Sequence, residues 1–350
     1  MNPALTPMLL PPGHPPVKPR KIGVLLINLG TPEATSYWPM RAYLKEFLSD
    51  RRVIETNPLL WWFILNGIIL SFRPQKSGHA YAGIWNKERN ESPLKTFTRG
   101  QSDALTALIG DDSVVVDWAM RYGKPSIAER LTVMQEAGCD KILLFPLYPQ
   151  YSAATTATAL DKAYEALRGM RWQPAIRTVP PYYGQATYID AIAQSLTRHL
   201  ACLTWKPDRI LVAFHGLPRE YLDKGDPYHC HCQKTARLLQ ERLGISKDVL
   251  QLVFQSRFGR AEWLKPYAQD IIEELPGQGI KNVVMISPGF ASDCVETLEE
   301  LGIGLDETFK MNGGQNFSVV PCLNDSAGGV ELLHQLMQTE LRGWHGKDLL

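Results

Sequence analysis

Short, predominantly apolar runs recur along the chain, each followed by a stretch with helical periodicity. They cover residues 22–29 (IGVLLINL), 114–118, 141–147, 210–214, 249–254 and 283–286. A strand wetted on one face alternates apolar and polar residues. A continuous apolar strand is covered on both faces, as in a parallel sheet flanked by helices. The fold class is therefore α/β.

The two halves of the chain also resemble each other. Residues 21–33 (KIGVLLINLGTPE) parallel residues 208–220 (DRILVAFHGLPRE), each a buried run followed by Gly, one residue and Pro. Arg121-Tyr122-Gly123 parallels Arg257-Phe258-Gly259, and residues 141–152 parallel residues 281–293. Matched landmarks in one order imply two similar Rossmann-like, doubly wound domains with a ligand cleft between them. The expected layout is a flexible proline-rich leader over 1–20 and an N-terminal domain over 21–190. A C-terminal domain over 191–325 follows, then a helix or tail over 326–350 that packs back. Residues 188–203 read as the linking helix. Ligands of open α/β sheets bind beyond the carboxyl ends of the strands. Here those ends carry residues 28–31, 148–152, 215–218 and 288–296.

Composition removes several function classes. The 350 residues carry a formal net charge of +1, so nothing marks a nucleic-acid partner. Six cysteines in a chain this long make no disulfide framework, and a reducing cytoplasm is the expected compartment. A phosphate loop and a GxSxG elbow are both missing, which disfavours nucleotide cofactors and serine hydrolysis. Two similar lobes also describe solute-binding proteins. Those are normally exported, and the N-terminus shows no export signal.

Among groups able to do chemistry, His215 stands out. It ends an apolar run, and its repeat partner is Leu29, a hydrocarbon. Histidine titrates near neutrality and can take a proton or bind a metal. Glu296 follows in a segment that opens a helix after a strand, with Ser292 or Asp293 as its expected cap. Asp293 and Glu296, three apart, are expected on one helix face; first-turn acids also serve the helix dipole. Residues 226–232 (DPYHCHC) place His229, Cys230, His231 and Cys232 in a row, with no second ligand cluster of zinc-site spacing. Residues 57–72 (NPLLWWFILNGIILSF), bounded by Pro58 and Pro74, are too short to span a bilayer. They read either as a buried core helix or as an amphipathic lip that covers an apolar ligand or touches a membrane.

These residues resemble the ferrochelatase family. AFHGLP (213–218), GDPY (225–228), INLGTPE (27–33), RYGKPSI (121–127), YPQYS (148–152), QSRFGRAEWLKP (255–266) and PGFASDCVETLEE (288–300) occur in the family's order. The resemblance implies two Rossmann-like domains around a porphyrin cleft and an enzyme inserting Fe²⁺ into protoporphyrin. Coproporphyrin or another tetrapyrrole is the alternative. It places the family's histidine at His215, its glutamate at Glu296 and its aspartate at Asp293, with His215 and Glu296 as possible iron ligands. Pocket positions fall on Asn28, Leu29, Tyr81, Arg121, Tyr148, Tyr151, Trp263 and Phe290. Arg121 or Arg73 would meet a propionate, and residues 57–74 would form the lip, in peripheral contact with the inner membrane face. The chain departs from the family in having Cys294 beside Asp293, where some members have histidine. It has Ala153 where iron–sulfur members have cysteine, and no cysteine after Cys322. The expectation is therefore no prosthetic group and no iron–sulfur cluster, which needs four thiolates.

Overall fold

A computed structural model describes residues 11–14, 19–259 and 261–345. Most of the expected leader and the last residues of the expected tail lie outside them. Eight strands form two four-stranded parallel sheets. The first holds β1 (Lys21–Gly30), β2 (Val114–Tyr122), β3 (Cys139–Pro146) and β4 (Ala175–Thr178) in the order β2-β1-β3-β4. The second holds β5 (Arg209–His215), β6 (Leu250–Gln255), β7 (Asn282–Ile286) and β8 (Asn316–Val320) in the order β6-β5-β7-β8. The two sheets have the same topology. The repeat extends to their irregular parts: the N–H of Met120 on β2 donates to the Pro125 carbonyl, and that of Phe254 on β6 to the Pro266 carbonyl, both at 2.8 Å.

The helices are α1 (Tyr37–Leu48), α2 (Pro58–Ile64), α3 (Leu70–Ile84), α4 (Pro93–Ile109), α5 (Ile127–Glu136) and α6 (Thr158–Arg168) in the first half. They continue with α7 (Ala186–Cys202), α8 (Arg219–Asp223), α9 (Tyr228–Leu243), α10 (Ala268–Glu274), α11 (Asp306–Met311) and α12 (Ala327–Leu341). Their ends carry local signals. Ser126 and Glu129 form a reciprocal capping box on α5, and Ser92 caps α4 ahead of Pro93.

One core joins the two sheets. Val24 and Leu26 of β1 point into the same cluster as Ile210, Val212 and Phe214 of β5, with residues of α7, α9 and α12 between them. Leu25 and Ile27 face an outer cluster under α5 and α6, and Leu211 and Ala213 face the corresponding cluster under α10 and α11. The facing pattern thus makes Leu25 the equivalent of Leu211 and Ile27 that of Ala213, and by the same register Leu29 that of His215.

The segment 57–84 forms one long helical run. α2 passes through a π-helical stretch, Leu65–Ile69, into α3, and the helix continues past Pro74 instead of ending there. Proline removes the N–H that would have bonded to the carbonyl four residues back. That carbonyl, on Leu70, accepts the Tyr37 hydroxyl at 2.9 Å instead. Leu59, Leu60, Trp62, Phe63, Ile68 and Phe72 are exposed, so the run is not a buried core helix. Trp61 points the other way and its indole N–H donates to the Leu48 carbonyl at 2.7 Å.

Candidate active site

The central histidine is held by a tightly packed turn. A Cβ at Gly216 would lie 2.7 Å from the Gln255 carbonyl and 3.1 Å from the Trp263 ring, so only glycine fits behind His215. The turn is pinned to the 262–264 segment, where the Arg219 N–H donates to the Glu262 carbonyl and the Leu264 N–H to the Leu217 carbonyl. Nδ1 of His215 lies 2.6 Å from the Gly216 carbonyl oxygen. A carbonyl only accepts, so Nδ1 carries the proton and donates. In the neutral ring Nε2 then has a free lone pair.

Glu296 opens a π-helix, Glu296–Leu305. Its turn is wider than that of an α-helix, so Glu296 and Glu300 project from nearly the same face. Gln255 on β6 donates to the Glu296 carbonyl at 3.0 Å and ties this helix to the second sheet. Burial, with the nearby Glu296 charge, holds the Glu300 carboxyl above the usual range against the opposing pull of Ser256 and His215. Ser256 donates to Glu300 at 2.6 Å. It does so from a left-handed backbone, φ 66°, which a non-glycine residue adopts at a cost of about 1–3 kcal/mol. Across from Glu296 lie Tyr43 and Tyr81, their ring centroids 6.5 Å apart. Burial first, and the Glu296 charge as well, push both hydroxyls well above the ordinary tyrosine value. His215 and Glu296 thus both act on Glu300 at the carboxyl edge of the second sheet, and the Glu296 charge reaches two tyrosines of the first domain.

Three expected site residues are committed elsewhere. Asp293 precedes the helix, so three-residue helical spacing does not place it beside Glu296. Its carboxylate accepts the Thr297 hydroxyl at 2.8 Å, the Asn324 amide at 2.7 Å and the Cys322 N–H at 3.3 Å. It does not cap the helix through a backbone N–H, as Asp or Ser292 was expected to do; the residue before the first turn, Val295, has no capping side chain. The Asn28 amide donates to Thr98 at 3.1 Å while its oxygen accepts the Leu29 N–H at 2.9 Å. Arg121 pairs with Asp50 and donates to Thr158 at 2.7 Å, leaving little of its guanidinium for a ligand.

The remaining expected positions line the strand ends. Leu29 packs against Leu94, Met120, Phe290 and Cys294, where the two domains meet. Tyr148 is buried and its hydroxyl has no partner among the described residues; the Trp263 indole N–H is in the same state. Tyr151 is half-buried. Arg73 makes no ion pair among the described residues and lies 4.9 Å over the exposed Phe258 ring, and burial lowers its proton affinity. Glu300, Ser256 and Tyr43 are the members that sequence reasoning did not select. Glu300 stood in the quoted PGFASDCVETLEE motif, but nothing local distinguishes it from Glu299. The residues that shape it, Ser256 and His215, are distant in sequence.

His229, Cys230, His231 and Cys232 do not converge. Cys232 is buried, Cys230 is exposed, and the ring of His229 stacks over Phe254. Among the described residues no group of three or more His, Cys, Asp or Glu is arranged to hold a metal.

Two parallel-sheet α/β domains of one topology are a fold shared with chelatases. SirB from Bacillus subtilis, solved with Fe³⁺, superposes with a TM-score of 0.55 at 11% identity over 93% of this chain and 97% of that one. DR2241 from Deinococcus radiodurans, described as structurally similar to chelatases, does so with a TM-score of 0.52 at 12% identity over 94% of this chain and 56% of that one. At such identities these likenesses bear on the fold alone. The sequence comparisons are more specific. The ferrochelatase family model matches residues 21–341. Ferrochelatase from Agrobacterium fabrum is 56% identical over 336 residues, 96% of this chain and 98% of the relative. Ferrochelatase from Rhizobium meliloti is 57% identical over 332 residues, 95% and 98%. The chain belongs to the ferrochelatase family, whose members are metal-inserting lyases. A solute-binding role for the two lobes is set aside accordingly.

Proposed function

We propose that this chain inserts ferrous iron into protoporphyrin, forming protohaem with release of two protons, and that the His215–Glu296–Glu300 cluster carries the step. The supporting observation is the 2.6 Å bond from His215 Nδ1 to the Gly216 carbonyl, which leaves Nε2 as the free nitrogen of a ring whose charge acts on Glu300. Metal insertion removes two pyrrole N–H protons, and each needs an acceptor. His215 Nε2 takes the first. It passes that proton to the ionised form of Glu300, whose burial favours the protonated carboxyl, and the freed Nε2 takes the second. Glu296, roofed by Tyr43 and Tyr81, meets the incoming Fe²⁺ with a hard oxygen ligand. A planar macrocycle hides its nitrogens, so the pocket must bend it with binding energy drawn from elsewhere on the ring. Leu29, Tyr81, Tyr148, Tyr151 and Phe290 supply apolar wall, and the Tyr148 hydroxyl and Trp263 N–H are buried donors without a partner among the described residues. Arg73, lacking an acidic partner among the described residues, suits a propionate better than the committed Arg121. Asp293, Asn28 and Arg121 act in this reading as positioning residues.

The reading includes no iron–sulfur cluster. Ala153 stands at one of the cysteine positions of iron–sulfur members, and the cysteines are dispersed over both domains. Iron and acid-labile sulfide analysis of anaerobically purified protein checks this. It also includes a peripheral membrane contact through the exposed apolar face at Leu59, Leu60, Trp62, Phe63 and Phe72; no described helix is long and apolar enough to cross a bilayer.

An anaerobic assay with Fe²⁺ and protoporphyrin, read by absorbance, tests the function. Glu296→Gln is expected to lower turnover about 100-fold or more, the range of a lost acid–base or ligand group. A rate unchanged in that variant moves the acidic role elsewhere.

A further inference from the structure

The 226–232 segment takes no part in the chemistry above, yet it is bonded to a loop that carries two of the proposed wall residues. The strand-end loop of the N-terminal domain, residues 147–152, leaves β3 and carries Tyr148 and Tyr151. Four consecutive residues, Gln150 to Ala153, are hydrogen-bonded from its end to the sister domain. The Gln150 amide donates to Thr235 Oγ1 at 3.1 Å, the Tyr151 backbone N–H to His231 Nδ1 at 3.1 Å, the Ser152 hydroxyl to Asp226 Oδ2 at 3.0 Å and the Ala153 backbone N–H to the same oxygen at 2.8 Å. The His231 ring is itself fixed. It stacks on Tyr183 with ring centroids 3.6 Å apart and planes 11° from parallel. Because Nδ1 accepts, the neutral ring carries its proton on Nε2. Asp226 and Thr235 side chains have equivalents throughout polar loops, but a stacked imidazole accepting a backbone N–H from another domain is a specific device.

We propose that His231 is a positioning residue for the porphyrin pocket: by accepting the Tyr151 N–H it sets the Tyr148–Tyr151 wall against the cleft, and so governs porphyrin affinity and not the chemical step. The proposal rests on the reading of Tyr148 and Tyr151 as porphyrin wall. It gives the second histidine of the DPYHCHC run a role that needs no metal.

Full-length His231→Phe and His231→Asn test it. Phenylalanine keeps the stack on Tyr183 and loses the acceptor; asparagine Oδ1 can stand in for Nδ1. In the ferrous iron and protoporphyrin assay, His231→Phe is expected to raise the porphyrin KM about five-fold, the effect of one neutral hydrogen bond, with kcat and the iron KM close to wild type. His231→Asn is expected to restore the porphyrin KM. An unchanged KM in His231→Phe, or equal impairment in both variants, overturns the proposal. Should His231→Phe lose its melting transition, wild type and His231→Asn are compared across pH. Protonation of Nδ1 removes the acceptor, so the wild-type porphyrin KM must rise towards acid more steeply than that of His231→Asn. Asp226, Lys234 and Tyr183 are the charged or titratable groups facing the ring, and all three are present in both proteins. Parallel profiles overturn the proposal. Failure of the underlying reading looks different: Tyr151→Ala then leaves the porphyrin KM unchanged.

Discussion

The imidazole of His215 has one nitrogen to offer a substrate, because the other is bonded to its own turn. It therefore cannot hold a metal and take a proton at the same time, and the second acceptor must be a carboxyl. Glu300 fits that place. Burial raises its proton affinity, and the Glu296 charge adds to this, while Ser256 and His215 oppose it. The sign for stability follows. A carboxyl with a folded-state pKa above its unfolded value contributes stability that is fully present below the ordinary glutamate pKa and is lost as pH rises through the folded value. Glu300→Gln removes that loss. The melting temperature of the variant relative to wild type is expected to increase as pH rises through the raised pKa and then level off, while turnover falls about 100-fold. A pH-independent difference in melting temperature, measured by calorimetry, contradicts the buried-acid account.

At the scale of elements, strands were more legible than helix ends. Predominantly apolar runs located β1, β2, β3, β5, β6 and β7, because a strand covered by helices on its faces keeps few polar positions. β4 (Ala175–Thr178) and β8 (Asn316–Val320) escaped because they are short and polar residues interrupt them, Arg177 and Thr178 in the one and Asn316 and Ser318 in the other. Pro74 marked a false boundary, since the Tyr37 hydroxyl that satisfies Leu70 lies 33 residues away in sequence. Asp293 was misplaced for a similar reason: the partners that turn it from Glu296, Cys322 and Asn324, lie about thirty residues downstream. The lip shows both sides of this. Its apolar character is plain in the sequence, but not that Trp61 is the anchor and Trp62 the exposed residue. Trp61→Phe, which loses the 2.7 Å bond to Leu48, is expected to loosen the lip by about 1 kcal/mol and raise the porphyrin KM. Trp62→Ser is expected to leave the KM alone and weaken co-sedimentation with anionic lipid vesicles. The reverse pattern contradicts this division of labour.

The whole molecule is two copies of one topology fused through a common core. Val24 and Leu26 share it with Val212 and Phe214, and α7, α9 and α12 fill the space between the sheets. Polar ties cross the same boundary. Gln101 of α4 donates to the Asn324 carbonyl at 3.0 Å and accepts the Ser292 hydroxyl at 3.2 Å, so the first domain supports the residues that hold Asp293. Gln101→Leu leaves buried partners unpaired, and a loss of about 1–3 kcal/mol is expected in denaturant titration, with reduced turnover. Unaltered stability argues against that tie. The repeat was legible in the sequence because both copies keep Gly-x-Pro after the first strand; the common core was not, because no local pattern says which face of one sheet meets the other.

The central claim is that His215 is the acceptor without which iron does not enter the ring. The direct measurement is His215→Ala under anaerobic conditions, with porphyrin binding followed by fluorescence and chelation by absorbance in the same sample. Porphyrin bound with near-native affinity and no protohaem formed is the predicted result; protohaem formed at close to the wild-type rate would contradict it.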